Sequence, residues 1–201
     1  MSYEEKRVRV KDFGSMPGDS PLLVQVPGVG GKARRLHKIA AASFQELAAA
    51  IAKDLQIELQ IASGWRKHRW ESKQQYEQVL VKKYGSVREG RKWLAYASPH
   101  ETGLAMDIGV GGLTPNRKTR DKQRQTPLHQ WMVENADRFG WHPYKNEPWH
   151  WEHYIGRGAW ETGDPETEDM VSFAPGQEDP EDIHDTMDAE ICEDDIDEGV
   201  E

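Results

Sequence analysis

Hydrophobic spacing divides the chain into a patterned centre and two irregular ends. From Arg34 to about Lys53, apolar residues recur with the 3.6-residue period of an amphipathic helix. Residues 57–61 then alternate between apolar and polar side chains, which predicts a strand ending at Ser63-Gly-Trp-Arg. Residues 1–33 carry Gly and Pro throughout, so we predict an irregular arm with one or two short strands packed on the domain.

Two more helices are indicated by their capping residues. Ser72 with Gln75 forms a capping-box pattern, and the helix that it opens is predicted to close near Gly85. Thr126-Pro127 is a cap followed by a first-turn proline, and Gly140 is predicted to end that helix. Residues 91–97 suggest a short helical turn, and residues 113–125 read as a polar, basic loop.

The strand predicted after Gly103 contains the first candidate functional residue. Its alternation predicts one face formed by Leu104, Met106, Ile108 and Val110. Asp107 then stands on the other face between Ala105 and Gly109, where the small neighbours leave room for a metal and a substrate. A sharp turn at Gly103 would bring His100 back to the side of Asp107.

A second segment, Glu147-Pro-Trp-His-Trp-Glu, supplies the complementary groups. On a strand, His150 and Glu152 would share one face and the two tryptophans the other. Catalytic zinc takes three nitrogen or oxygen ligands from the protein and keeps one position open. We therefore predict His100, Asp107 and His150 as metal ligands, with Glu147 as the general base that takes a proton from water at the metal.

The joint pattern S-x-H-x-x-G-x-A-x-D followed by E-x-W-H-W resembles the VanY-like D-alanyl-D-alanine carboxypeptidases, which are zinc peptidases acting on peptidoglycan. The wider clan includes D-Ala-D-Ala dipeptidases, phage L-alanyl-D-glutamate endopeptidases and the hedgehog signalling domain. The resemblance covers roughly residues 34–157. It implies an α+β fold in which a central antiparallel sheet carries the site and helices flank it, one zinc ion, and a peptidoglycan stem peptide as substrate.

The same resemblance gives roles to two more residues. Ser63-Gly-Trp-Arg is similar to the family's Ser-Gly-Tyr-Arg, whose arginine supports the substrate and the developing oxyanion, so Arg66 is the expected counterpart. A guanidinium is suited to both tasks because it stays charged and offers paired donors. Ser98 is a further candidate for contacting substrate. After Arg66 the sequence departs from the family pattern of Arg-Ser with a glutamine four residues after the arginine. Lys67 follows here, and the glutamine pair comes only at Gln74 and Gln75, so the resemblance does not define which residues of this segment contact substrate.

Charge separates the body of the chain from its tail. Residues 161–201 contain 18 Asp and Glu and no Lys or Arg, which leaves residues 1–160 with 17 acids, 26 bases and a net charge of +9. We predict a peptidase domain over residues 34–160 and a disordered acidic tail over residues 161–201 that could bind a partner protein.

The basic body either attracts anionic polymers such as teichoic acids or serves solubility. The basic loop lacks the aromatic residues expected of a nucleic-acid site.

Other classes of protein are excluded or made less favourable by simple features. Cys192 is the single cysteine, so neither an internal disulfide nor a cysteine-built zinc site is available. No apolar run is long enough to span a membrane, and the charged start shows no secretory signal. We expect a monomer that is made in the cytoplasm and reaches the cell wall by phage lysis or by injection.

The sequence therefore predicts a zinc-dependent peptidoglycan peptidase, of D-Ala-D-Ala carboxypeptidase or L-Ala-D-Glu endopeptidase type, acting as a phage lysin or an injected effector. The alternatives are a zinc-binding interaction module without catalysis and a structural component of a phage or an injection machine. No H-E-x-x-H motif is present, so Glu101 is not a base of that type.

Overall fold

The computed structural model describes residues 9–91, 94–109 and 113–167. Two short strands, β1 (Leu23–Val26) and β2 (Arg34–His37), form an antiparallel pair. A second sheet has the order β3-β4-β6-β5 and is antiparallel throughout. Its strands are β3 (Ile61–Ser63), β4 (Ala105–Ile108), β5 (Trp141–Tyr144) and β6 (Glu147–His153). The helices are α1 (Lys38–Leu55), α2 (Lys73–Tyr84), α3 (Val87–Arg91), α4 (Arg120–Arg124), α5 (Pro127–Asn135) and α6 (Arg157–Thr162). The predicted α+β class with a central antiparallel sheet is confirmed.

The core lies between α1 and the four-stranded sheet. Helix α1 buries one side, consisting of Ala40, Ala41, Phe44, Leu47 and Ile51. The same apolar cluster includes Leu104, Met106, Ile108 and Trp151, all fully buried. Each large side chain withdrawn from water in this way contributes about 1.5–3 kcal/mol. The face of β4 that was predicted to point inward does so, apart from Val110, which lies outside the described residues.

The start of the first helix was predicted wrongly. Residues 34–37 form β2, and α1 begins only at Lys38. Leu36 fits a helical stripe by spacing, but a strand buries it equally well, and pairing with Val24 decides the outcome. His37 ends the strand and caps the helix, since its Nδ1 accepts the Ile39 amide at 3.3 Å.

The other helix and strand boundaries differ less from the predicted ones. Within residues 57–63 only Ile61–Ser63 pairs as a strand, although Leu59 is also buried. The basic loop contains the one-turn helix α4, and the helical turn expected at residues 91–97 lies earlier, as α3. The predicted caps at Ser72 and Thr126 are confirmed, because their hydroxyls accept the amides of Gln75 and His129.

The two ends of the described chain pack on the domain. In the arm, Val10 and Met16 are buried in the core. Helix α6 continues to Thr162, past the predicted domain end at residue 160, and buries Trp160. The predicted disorder of the acidic tail, Cys192 included, falls mainly on residues 168–201, which lie outside the described part. In the described residues, no helix is both long and apolar enough to cross a membrane.

Candidate active site

The sheet register brings two of the predicted ligands face to face. Asp107 on β4 is the direct cross-strand partner of His150 on β6. Residues opposite each other in an antiparallel ladder project to the same side of the sheet, with Cβ atoms about 4.5–5.5 Å apart. The pairing of β4 with β6 therefore sets a carboxylate and an imidazole side by side.

The third predicted ligand reaches the same place through a turn. His100 lies in the 3₁₀ turn Pro99–Thr102, whose cap Ser98 accepts the His100 amide with its hydroxyl at 3.3 Å. Gly103 follows with φ of 75°, a left-handed conformation that side chains disfavour. A Cβ there would also lie 2.8 Å from the His37 amide nitrogen. This glycine turn reverses the chain so that His100 joins Asp107.

The three donor atoms form a nearly equilateral triangle. His100 Nε2 lies 3.2 Å from both Asp107 Oδ1 and His150 Nδ1, and the latter two atoms are 3.0 Å apart. A tetrahedral zinc ion with bonds of about 2.0 Å needs ligand atoms about 3.3 Å from one another. The two nitrogens and one oxygen also match the donor set of a catalytic zinc site. The predicted triad can therefore hold one metal ion with little rearrangement.

Hydrogen bonding fixes which nitrogen His100 presents. Its Nδ1–H donates to the Gly64 carbonyl at 2.8 Å, so Nε2 keeps its lone pair and faces the other two donors. Burial and the charge of Arg66 together lower the pKa of His100 to about 4, against the opposing effect of Asp107. A neutral imidazole with its lone pair turned inward is the form that binds a metal.

Glu152 contacts the candidate site, although no role was predicted for it from the sequence. Its Oε1 accepts a hydrogen bond from His150 Nε2–H at 3.3 Å, and its side chain is buried. Burial acts to lower the pKa of His150, but hydrogen bonds to Asp107 and Glu152 raise it to about 10. The ring is thus protonated when no metal is bound, and a metal would replace the proton on Nδ1. The predicted common face of His150 and Glu152 was the available signal.

Asp107 is the anion of the triad. Burial acts to raise its pKa, but the charge and hydrogen bonds of His100 and His150 outweigh burial and hold the pKa below its usual range. The carboxylate is therefore ionised at neutral pH and ready to coordinate a cation.

Glu147 opens β6 and is buried. A spacing of three would place it on the opposite face of a regular strand from His150. The ladder is irregular here, since Pro143 pairs with Trp151 while Tyr144 pairs with Glu147, so β6 carries extra residues between the two pairs. The Tyr144 ring also lies edge-on to His150, with centroids 5.9 Å apart. The bulge interrupts the regular alternation of side chains between Glu147 and His150. It also pairs Glu147 with Tyr144, whose ring contacts His150.

Arg66 and Ser98 flank the His100 turn. The Arg66 amide donates to the His100 carbonyl at 3.3 Å, and its charge acts on the His100 ring. Ser98 caps the turn, as described above, and a contact between Ser98 and substrate stays a prediction. The structure thus brings the three predicted ligands together and places Arg66 and Ser98 at the His100 turn. Glu147 lies on the strand that carries His150.

Comparison with known proteins identifies the family. The model of the VanY family, described as D-alanyl-D-alanine carboxypeptidase, matches residues 33–157. This chain belongs to the VanY family. The match begins one residue before β2 and ends at the first residue of α6, so its range includes all six predicted site residues. No curated protein matches the sequence significantly.

Several solved structures are similar to this chain. The LdcB LD-carboxypeptidase, whose structure addresses peptidoglycan recognition, shares 26% identity over 74% of this chain and 75% of its own, with a TM-score of 0.53. Zinc-bound vancomycin-resistance D,D-pentapeptidase VanY, as a mutant, shares 24% identity over 74% of this chain and 86% of its own, with a TM-score of 0.44. VanYB in complex with D-alanine-D-alanine has the same identity and TM-score and covers 88% of its own chain.

Proposed function

We propose that this protein is a zinc-dependent carboxypeptidase that removes the terminal D-amino acid from peptidoglycan stem peptides. The observation that carries the proposal is the triangle of His100 Nε2, Asp107 Oδ1 and His150 Nδ1, with sides of 3.0–3.2 Å. These atoms would hold the ion. A bound zinc ion supplies Lewis acidity and lowers the pKa of coordinated water toward neutrality.

The chain's own residues account for the remaining steps of amide hydrolysis. Glu147 takes the proton from the attacking water and later gives it to the leaving amine. Arg66 offers a permanent positive charge to the oxyanion that develops on the scissile carbonyl. Glu152 keeps His150 in the tautomer whose Nδ1 faces the metal.

The choice of bond rests on the relatives. The matched family is described as a D-alanyl-D-alanine carboxypeptidase, and LdcB is an LD-carboxypeptidase. Both descriptions name removal of a terminal residue rather than cleavage within the peptide. We therefore prefer the carboxypeptidase to the L-Ala-D-Glu endopeptidase, and the lysin or effector role predicted from the sequence remains a separate proposal.

Purified sacculi and a synthetic stem pentapeptide test the proposal. Each is incubated with the zinc-loaded protein, and the products are identified by mass spectrometry. We expect free D-Ala from both substrates, and none with His150→Ala or in excess chelator. New L-Ala carboxyl ends would replace the carboxypeptidase by an endopeptidase. No hydrolysis of either substrate by the zinc-loaded protein would contradict a peptidase function.

A further inference from the structure

A buried carboxylate next to a predicted ligand has no part in the mechanism above. Glu101 follows His100 in the 3₁₀ turn, and it is only 7% exposed. Its Oε2 accepts hydrogen bonds from the Ser15 hydroxyl at 2.6 Å and from His68 Nδ1–H at 2.8 Å. Its Oε1 accepts the Ser98 amide at 3.2 Å. One side chain thus joins three segments that are far apart in sequence.

The first of these segments is the N-terminal arm, which precedes the family match at residue 33. Besides the hydroxyl of Ser15, the arm contributes the amide of Met16, which donates to the Glu101 carbonyl at 2.8 Å. The Met16 carbonyl in turn accepts the indole N–H of Trp65 at 3.0 Å. The arm is therefore bonded both to the His100 turn and to the residue before Arg66.

The second segment is the loop that carries Arg66. Its residues on both sides are held, since Trp65 is bonded to the arm and His68 to Glu101. The Tyr96 ring packs edge-on against His68, with centroids 5.2 Å apart. The Arg66 amide itself donates to the His100 carbonyl. Side-chain bonds at Trp65 and His68 and the backbone bond of Arg66 therefore fix where the Arg66 side chain leaves the loop.

We infer that Glu101 is a positioning residue that fastens the N-terminal arm and the Arg66 loop to the His100 turn, so that the arm completes the substrate side of the site. The metal ligands are also held by contacts that Glu101 does not make, because the Gly64 carbonyl fixes the His100 ring and the sheet register sets Asp107 beside His150. Loss of the Glu101 contacts should therefore disturb the use of Arg66 and spare the metal.

The proposal is tested in the full chain with Ser15→Ala and Glu101→Gln. Ser20→Ala is the matched control, because Ser20 lies in the same arm and its hydroxyl accepts only the nearby Leu22 amide among the bonds described. Amide hydrogen exchange needs no activity. We expect both test variants to speed exchange about tenfold at the amides of Met16 and Arg66 together, while Ser20→Ala leaves both unchanged.

Kinetic measurements give a second readout, which rests on the proposed function. We expect kcat/KM to fall about tenfold in Glu101→Gln with zinc affinity unchanged within about twofold. In an Arg66→Ala background the same substitution should change kcat/KM by less than about twofold, because the residue it positions is gone.

The outcomes separate this inference from the proposed function. If exchange at Arg66 is unaffected in Ser15→Ala and Glu101→Gln, or if Ser20→Ala has the same effect, the positioning role is wrong. A parallel loss of zinc affinity in Glu101→Gln would also overturn it, since Glu101 would then act on His100. Should the wild type hydrolyse no stem peptide, the exchange measurements still decide the proposal.

Discussion

His150 and Glu152 lie side by side on one face of β6, joined by a 3.3 Å hydrogen bond from His150 Nε2 to Glu152 Oε1. The opposite ring nitrogen, Nδ1, is 3.0 Å from Asp107 Oδ1. A carboxylate only accepts hydrogen bonds, so Glu152 keeps a proton on Nε2 and leaves Nδ1 to a metal. Such outer carboxylates orient the ligand ring and increase its basicity.

Replacement of Glu152 should therefore weaken metal binding. We expect Glu152→Ala to lower zinc affinity about 10–100-fold, measured by competition with a chromophoric chelator. The zinc affinity of Glu152→Gln should lie between those of the wild type and Glu152→Ala, because an amide oxygen still accepts the bond but carries no charge. Glu161→Ala, in an exposed acid on α6, is the control and should bind zinc normally. Equal affinity in all four proteins would show that Glu152 does not support His150.

Glu147 should separate metal binding from catalysis. Glu147→Gln keeps the size of the side chain but removes the base, so we expect zinc content to stay at the wild-type level and kcat to fall about 10²–10⁴-fold. Elemental analysis and the release of D-Ala measure the two quantities on one preparation. A variant that keeps its zinc and hydrolyses peptide at the wild-type rate would exclude Glu147 as the base.

The ligand triad could be predicted because its parts lie in short, strongly patterned segments. The alternation around Asp107 fixes which face it occupies, and Gly103 marks the turn that returns His100. Caps such as Ser72 are equally local, since the hydroxyl bonds an amide three residues away. Local signals of this kind do not depend on the rest of the fold.

The features that the sequence did not predict depend on distant partners. Residues 34–37 form a strand because β1 lies beside them, and their spacing alone is compatible with a helix. The bulge in β6 exists only relative to β5. Likewise, nothing in sequence connects Ser15 with Glu101, which are 86 residues apart. In each case the outcome depends on a partner elsewhere in the sequence, and the periodicity of the local sequence carries no information about that partner.

Gly103 should be more sensitive to substitution than a glycine of similar conformation. Gly103 and Gly85 have φ of 75° and 83°, but a Cβ at Gly85 meets nothing within 4 Å, whereas at Gly103 it meets the His37 amide at 2.8 Å. Gly85→Ala carries only the conformational penalty, about 1 kcal/mol. Gly103→Ala adds a backbone clash, so we expect a loss of unfolding free energy at least about 1 kcal/mol larger. Denaturant titration of both variants measures the difference, and equal losses would contradict a tight turn.

A further buried histidine, remote from the metal ligands in sequence, links stability to pH. His37 donates Nε2–H to the Trp160 carbonyl at 3.0 Å and accepts the Ile39 amide on Nδ1, so only the neutral ring satisfies both bonds. Burial lowers its pKa from 6.5 to about 4, against the hydrogen bond to Trp160 and together with the charge of Lys38.

The unfolded chain therefore binds a proton at His37 more readily than the folded one, and stability must fall as pH decreases from about 6.5 to about 4. Below that range both states are protonated and this contribution no longer changes. Between pH 7 and pH 4.5 the loss from one such group is roughly 2 kcal/mol. His37→Asn keeps a capping side chain but does not titrate, so its unfolding free energy should fall less than that of the wild type by about this amount. Both proteins are unfolded in denaturant with chelator present, which removes differences due to metal. Parallel losses in the two proteins would show that His37 does not carry the effect.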